Sequence, residues 1–117
     1  MIITERSVGD VTILDLDGRM TIEDGTDQFR AVVSGLIRQG RASLVLNLRA
    51  VPYIDSTALG QIVRAYTSAT RLGGGLKLLQ VSARVQQLLV VTRLLSVFDV
   101  FDAEREAVNS FGRPRVP

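Results

Sequence analysis

Residues 43–48, with the sequence SLVLNL, restrict the fold of this chain more than any other segment. Apolar side chains at consecutive positions face both sides of a β-strand, so such a strand is typical of the middle of a sheet with both faces covered. A helical pattern follows, and its apolar positions share one face: Leu59, Ile62, Val63 and Tyr66. A buried strand followed by an amphipathic helix indicates an α/β fold with parallel strands.

The rest of the chain extends this alternation in both directions. Strands are predicted at residues 2–6, 11–16, 43–48, 76–81 and 97–101. Helices are predicted from Asp24 or Thr26 to Gly40, from Asp55 to Gly73, from Ala83 to about Thr92, and after a capping Asp102. The first two strands, joined by Gly9-Asp10, are expected to form an antiparallel hairpin at a sheet edge.

The predicted fold class is therefore α/β. We expect a small mixed, mostly parallel β-sheet with helices packed on it and an N-terminal antiparallel hairpin, because strands that alternate with helices need crossover connections. The length of 117 residues fits one domain. We assign residues 1–112 to that domain and expect the basic tail 113–117 to fray.

Several function classes are excluded by composition. The chain contains no histidine and no cysteine, which rules out the common triads, imidazole acid–base catalysis and zinc sites built from these residues. The glycines at 73–75 follow a helix and open a strand, the reverse of a phosphate-binding loop. We therefore expect no enzyme activity, no metal and no cofactor.

Charge and hydropathy bear on partners and location. The net charge is only +2, and the basic residues are scattered among the acids without a basic run, so direct nucleic-acid binding is not expected. The apolar runs are too short to cross a bilayer, and residues 1–6 do not resemble a signal peptide. These features predict a cytoplasmic protein without membrane insertion.

The triplet Asp55-Ser56-Thr57 is the main candidate functional motif. One interpretation is structural, because aspartate and serine are favoured N-caps and every helix needs a start. The other is functional. The triplet lies where a buried strand passes into a helix, at the sheet edge where ligands and partners dock in open α/β folds, and a hydroxyl there is accessible to a kinase.

Residues 46–60, with the sequence LNLRAVPYIDSTALG, resemble the signature of STAS domains, the anti-sigma factor antagonists. The resemblance extends over nearly the whole chain, including Gly18 after the hairpin and GGGLKLLQV at 73–81. In that family the serine after the aspartate is phosphorylated by a partner that is both anti-sigma factor and serine protein kinase, and a phosphatase resets it. By position this serine is Ser56, with Thr57 as the alternative acceptor, and no residue is catalytic.

The resemblance also implies a partner surface around the start of the second helix. The predicted partner-binding residues are Met20, Thr21, Tyr53, Asp55, Thr57 and Ala58. A monomer or weak dimer that regulates sigma-factor-dependent transcription is expected.

Two positions depart from the family pattern. Ala58 replaces the usual glycine, and Thr21 replaces an acid present in many phosphorylated antagonists. They leave open an unphosphorylated STAS scaffold or subunit in a larger signalling or membrane-transport complex. A small doubly wound enzyme or nucleotide binder is a further alternative, although no glycine-rich strand-to-helix loop is present.

Overall fold

The computed structural model describes residues 1–112, so the predicted frayed tail at 113–117 lies outside the described residues. The strands are β1 (Ile2–Val8), β2 (Val11–Asp17), β3 (Ser43–Ala50), β4 (Gly75–Leu79) and β5 (Val100–Phe101). The helices are α1 (Thr26–Arg38), α2 (Ser56–Arg71), α3 (Ala83–Val91) and α4 (Glu104–Ser110). None of the helices within residues 1–112 combines the length and the apolar character needed to cross a membrane.

The strands form one sheet in the order β1-β2-β3-β4-β5. β1 and β2 are antiparallel, with Val8 opposite Val11, so Gly9 and Asp10 make the turn between them. The remaining neighbours are parallel to one another. The predicted mixed, mostly parallel sheet with an N-terminal hairpin is confirmed.

Both faces of the sheet are covered, and β3 contributes to both sides. Leu44, Leu46 and Leu48 lie in the larger core cluster with apolar side chains of α1, α2 and α3. Val45 lies in a second cluster with Ala107 of α4. Since Leu44, Val45, Leu46 and Leu48 are fully buried, β3 occupies the covered position that its apolar run predicts.

The C-terminal part differs from the prediction in two details. A strand over 97–101 is wrong in its first half, because the N–H groups of Val97 and Phe98 both donate to the carbonyl of Leu94, at 3.0 and 3.2 Å. These bonds fold residues 94–98 into a turn and leave only Val100–Phe101 in the sheet. There the ring of Phe98 meets Tyr66 edge to face, with the centroids 5.4 Å apart.

The predicted cap of the last helix is also wrong. The N-cap of α4 is Ala103, which has extended backbone angles and makes no side-chain cap bond. Asp102 precedes it, and its carbonyl oxygen accepts a hydrogen bond from Nε2 of Gln80 at 3.0 Å. Asp102 is therefore held by the loop after β4 and does not cap the helix.

Candidate functional site

Asp55 connects the start of α2 to the loop after β2. It is the N-cap of α2, and its Oδ1 accepts a hydrogen bond from the N–H of Ala58 at 2.8 Å. Its Oδ2 accepts from the N–H of Ile22 at 2.9 Å. Its carbonyl oxygen accepts from the N–H of Leu59 at 3.0 Å. One residue thus begins the helix and fixes the facing loop.

A short backbone ladder holds that loop beside the approach to α2. Met20 donates to the carbonyl of Tyr53 and accepts from the N–H of Asp55, both at 3.2 Å. Beyond it, the N–H groups of Thr21 and Asp24 each donate to the other's carbonyl, at 2.7 and 3.0 Å, and close a tight turn. The two parts of the chain that hold the predicted partner-binding residues, 20–21 and 53–58, are therefore adjacent.

The predicted site residues differ sharply in exposure. Ser56 and Thr57 are exposed, whereas Thr21, Tyr53 and Asp55 are half-buried. Met20 and Ala58 have 0 % exposure, because they pack into the core cluster beneath the loop and the helix start. In this conformation Met20 and Ala58 have no surface that a partner could contact, so they support the exposed residues instead.

The first turn of α2 also presents backbone donors. Asp55 satisfies the N–H groups of Ala58 and Leu59. Those of Ser56 and Thr57 have no acceptor within the part of the chain that the structure describes. Free N–H groups at a helix N-terminus favour negative charge in front of them.

A groove of about 280 Å³ runs between the start of α2 and one face of α3. It is lined by Tyr53, Ile54, Asp55, Ser56, Arg84, Gln87, Leu88 and Val91. The guanidinium of Arg84 lies over the ring of Tyr53, 4.8 Å from its centroid. We name this cavity the Ser56 groove.

Sequence reasoning missed the α3 wall of the Ser56 groove. A signal was available, because helices that follow neighbouring parallel strands begin at the same edge of the sheet. Arg84 is the second residue of α3, two positions after the capping Ser82, so the topology places it near the first turn of α2.

A second polar cluster lies on the sheet face that α4 covers. Nε of Arg6 donates to Oδ2 of Asp15 at 2.6 Å, and its Nη2 donates to Oε1 of Glu104. Nδ2 of Asn47 donates to Oδ1 of Asp15 at 2.8 Å. The hydrogen bonds from Arg6 hold the pKa of Asp15 and of Glu104 below their ordinary values, and they raise the pKa of Arg6.

This cluster joins β1, β2, β3 and α4 and contributes no residue to the lining of the Ser56 groove. Within residues 1–112, no group of three or more acidic side chains is placed to hold a metal ion.

Comparison with known sequences identifies the family. Residues 3–107 match the STAS domain family. The chain belongs to the STAS domain family. This STAS domain is 31 % identical over 102 residues to a Thermotoga neapolitana protein provisionally named an anti-sigma factor antagonist, covering 87 % of this chain and 90 % of that one. The anti-sigma-B factor antagonist of Bacillus subtilis is 38 % identical over 65 residues, 56 % of this chain and 59 % of that one.

Solved structures agree on the fold of this STAS domain. A Thermotoga maritima protein, provisionally named an anti-sigma factor antagonist, superposes with a TM-score of 0.89 at 28 % identity, over 95 % of both chains. The Bacillus cell fate determinant SpoIIAA in its phosphorylated form gives 0.75 at 20 % identity, over 93 % of this chain and 98 % of that one. A sulfate transporter family protein of Wolinella succinogenes gives 0.72 at 21 % identity, over 90 % and 87 %. The last two likenesses bear on the fold alone.

Proposed function

We propose that this STAS domain is a phosphorylation-controlled anti-sigma factor antagonist. In its unmodified form it binds an anti-sigma factor that is also a serine kinase, and this frees a sigma factor for transcription. Phosphorylation of Ser56 ends the binding, and a phosphatase restores it. The domain acts in the cytoplasm as a monomer or weak dimer, and the partner supplies ATP and all catalytic groups.

The position of Ser56 carries this proposal. Ser56 is exposed, is the first residue of α2, and follows a cap that is bonded to the loop after β2 and to the first turn of α2. A kinase needs an accessible hydroxyl, and a stable recognition surface around it lowers the entropic cost of binding. Thr57, the alternative acceptor, is also exposed, so access alone does not favour Ser56 over Thr57. The preference rests on the resemblance, in which the acceptor directly follows the aspartate.

The chemistry at Ser56 is a simple group transfer. The Ser56 hydroxyl oxygen attacks the γ-phosphorus of ATP, the bond to the ADP oxygen breaks, and the hydroxyl proton passes to a base of the kinase. The product carries about −1.5 to −2 charges at neutral pH. Two unit charges about 4 Å apart interact with about 4 kcal/mol at an effective dielectric of 20, and each 1.4 kcal/mol changes affinity about tenfold. Repulsion between this phosphate and a partner carboxylate is therefore sufficient to release the partner.

Little refolding is expected on phosphorylation. The cap, the backbone ladder at Met20 and the core beneath them involve no atom of the Ser56 side chain. The added charge therefore acts on the interface, while the scaffold around it stays in place.

Mass spectrometry of the whole chain tests the proposal. The protein is incubated with ATP and each candidate anti-sigma factor kinase from the same genome, beside Ser56→Ala and Thr57→Ala. One phosphate is expected on the wild type and on Thr57→Ala, and none on Ser56→Ala. Loss of the phosphate in Thr57→Ala, with Ser56→Ala still modified, would transfer the role to Thr57.

The alternative function is an unphosphorylated scaffold in a larger signalling or transport complex. Thr21 favours it, because this position lacks the acid found beside many phosphoacceptors. Binding of a partner without modification by any candidate kinase would support the scaffold and reduce Ser56 to the first residue of a helix.

A further inference from the structure

We propose that Arg84 receives the phosphate of phosphorylated Ser56 and thereby reports its modification across the Ser56 groove. This proposal rests on the proposed function, since it concerns the same serine. It adds a phosphate-binding residue on α3, whose ion pair with the phosphate forms only in the modified protein.

The charges of the groove support this assignment. Among the residues that line it, Asp55 and Arg84 carry the only charges, and Tyr53 is the other titratable group. The Asp55 carboxylate already accepts from two backbone N–H groups. Arg84 has no carboxylate within ion-pair distance in the part of the chain that the structure describes. A phosphate on Ser56 therefore meets one uncommitted cation in the groove.

The present contact of Arg84 also supports it. The guanidinium lies over Tyr53 at 4.8 Å, within the groove that Ser56 lines, so its starting position faces the site. An exposed cation–π contact is weak, whereas a guanidinium binds a phosphate through two parallel charge-assisted hydrogen bonds. Exchange of the first contact for the second is therefore favourable.

The ion pair has a consequence for partner release. In the unmodified protein Arg84 is available to a carboxylate of the partner. In the phosphorylated protein the phosphate on Ser56 neutralises the charge of Arg84, and the guanidinium no longer covers the ring of Tyr53. The partner thus loses an attractive contact on α3 in addition to meeting the repulsive phosphate on α2.

The test uses the full chain with phosphoserine encoded at position 56, so no kinase or partner is needed. The second pKa of this phosphate is measured by ³¹P NMR at low salt. It is ordinarily about 6, and a facing guanidinium is expected to lower it by about one pH unit. Arg84→Gln is expected to remove most of that difference, and Arg84→Lys is expected to restore part of it.

Arg64→Gln is the matched control, since Arg64 lies on α2 but lines a different groove, against α1. It is expected to leave the phosphate pKa unchanged. About 1 M salt should weaken the effect in the wild type, because it screens exposed charges.

Failure of the proposed role of Arg84 can be distinguished from failure of the proposed function. The same phosphate pKa in the wild type and in Arg84→Gln would overturn the role of Arg84, while phosphorylation of Ser56 by a kinase would still be testable. Absence of any kinase that modifies Ser56 would overturn the proposed function, while a lowered pKa in the encoded phosphoprotein would still support the ion pair.

Discussion

The carboxylate of Asp55 accepts a hydrogen bond from the backbone N–H of Ile22 at 2.9 Å, across 33 positions of sequence. Its other oxygen caps α2 through the N–H of Ala58. A single side chain therefore fixes the loop after β2 and the first turn of the helix that carries Ser56. A change at position 55 alters both sides of the candidate site together.

Replacement of Asp55 by alanine removes both hydrogen bonds. We expect the free energy of unfolding to fall by about 1–2 kcal/mol, measured by urea denaturation. Asp55→Asn is the matched control, because asparagine caps helices equally well but its amide nitrogen cannot accept from Ile22. Its loss should be smaller. Equal losses in the two variants would contradict the capping role of Asp55.

Ser56→Asp tests whether added charge acts on binding without unfolding the domain. Ser56 is exposed, so we expect the free energy of unfolding to stay within about 0.5 kcal/mol of the wild type. Binding of the cognate anti-sigma factor, measured by calorimetry, should weaken at least about tenfold, and Ser56→Ala should bind like the wild type. Tight binding of Ser56→Asp to that partner would count against the switch.

Replacement by alanine is expected to change the free energy of unfolding in opposite directions at Gly74 and at Gly35. A Cβ on Gly74 would lie 2.0 Å from the carbonyl oxygen of Ala42, so Gly74→Ala must displace the backbone where β3 and β4 begin. We expect a loss of about 1–3 kcal/mol or more in thermal or urea unfolding. A Cβ on Gly35, within α1, meets nothing within 4 Å, so Gly35→Ala should stabilise by about 0.4–1 kcal/mol.

The Arg6 cluster predicts a pH dependence of stability. The folded pKa values of Asp15 and Glu104 lie below the ordinary 3.8 and 4.5, so the folded state binds fewer protons than the unfolded state in acid. The contribution is therefore present above about pH 4.5 and is lost as pH falls through the lowered values.

Arg6→Gln measures the contribution of that cluster. Arg6 and Glu104 are more than a third exposed, and Asp15 nearly so, so solvent screening should limit the loss to about 1 kcal/mol near neutral pH. The difference from the wild type should shrink as the pH is lowered to about 3 and in about 1 M salt. A difference that stays constant with pH would refute the ionic origin.

Local pattern was sufficient for most of the fold. The apolar run of β3 predicts a buried strand, and the i, i+3, i+4 spacing of apolar residues in α1 and α2 predicts helices. The alternation of strands and helices then predicts parallel pairing. The last strand was overextended because Val97 and Phe98 look like strand residues. Only their hydrogen bonds to Leu94 exclude them from the sheet.

The candidate site was predictable only where its residues are neighbours in the sequence. Asp55 and Ser56 belong to one local motif, and their position in the sequence identifies it. Arg84 enters the groove because α3 begins near the start of α2, which follows from the order of the strands and not from the motif itself, and the pairing of Arg6 with Glu104 spans 98 positions. Burial of Met20 and Ala58 depends likewise on what packs above them, which sequence spacing does not reveal.

The order of the strands in the sheet follows their order in the chain. Each new strand therefore adds to an edge that has already formed, and no strand waits for a later one to be inserted between its neighbours. Such a sheet is suited to growth during synthesis, since every pairing closes a comparatively short loop. Among the side-chain bonds of residues 1–112, the one from Arg6 to Glu104 joins the most distant positions, so it is expected to form only once α4 has left the ribosome.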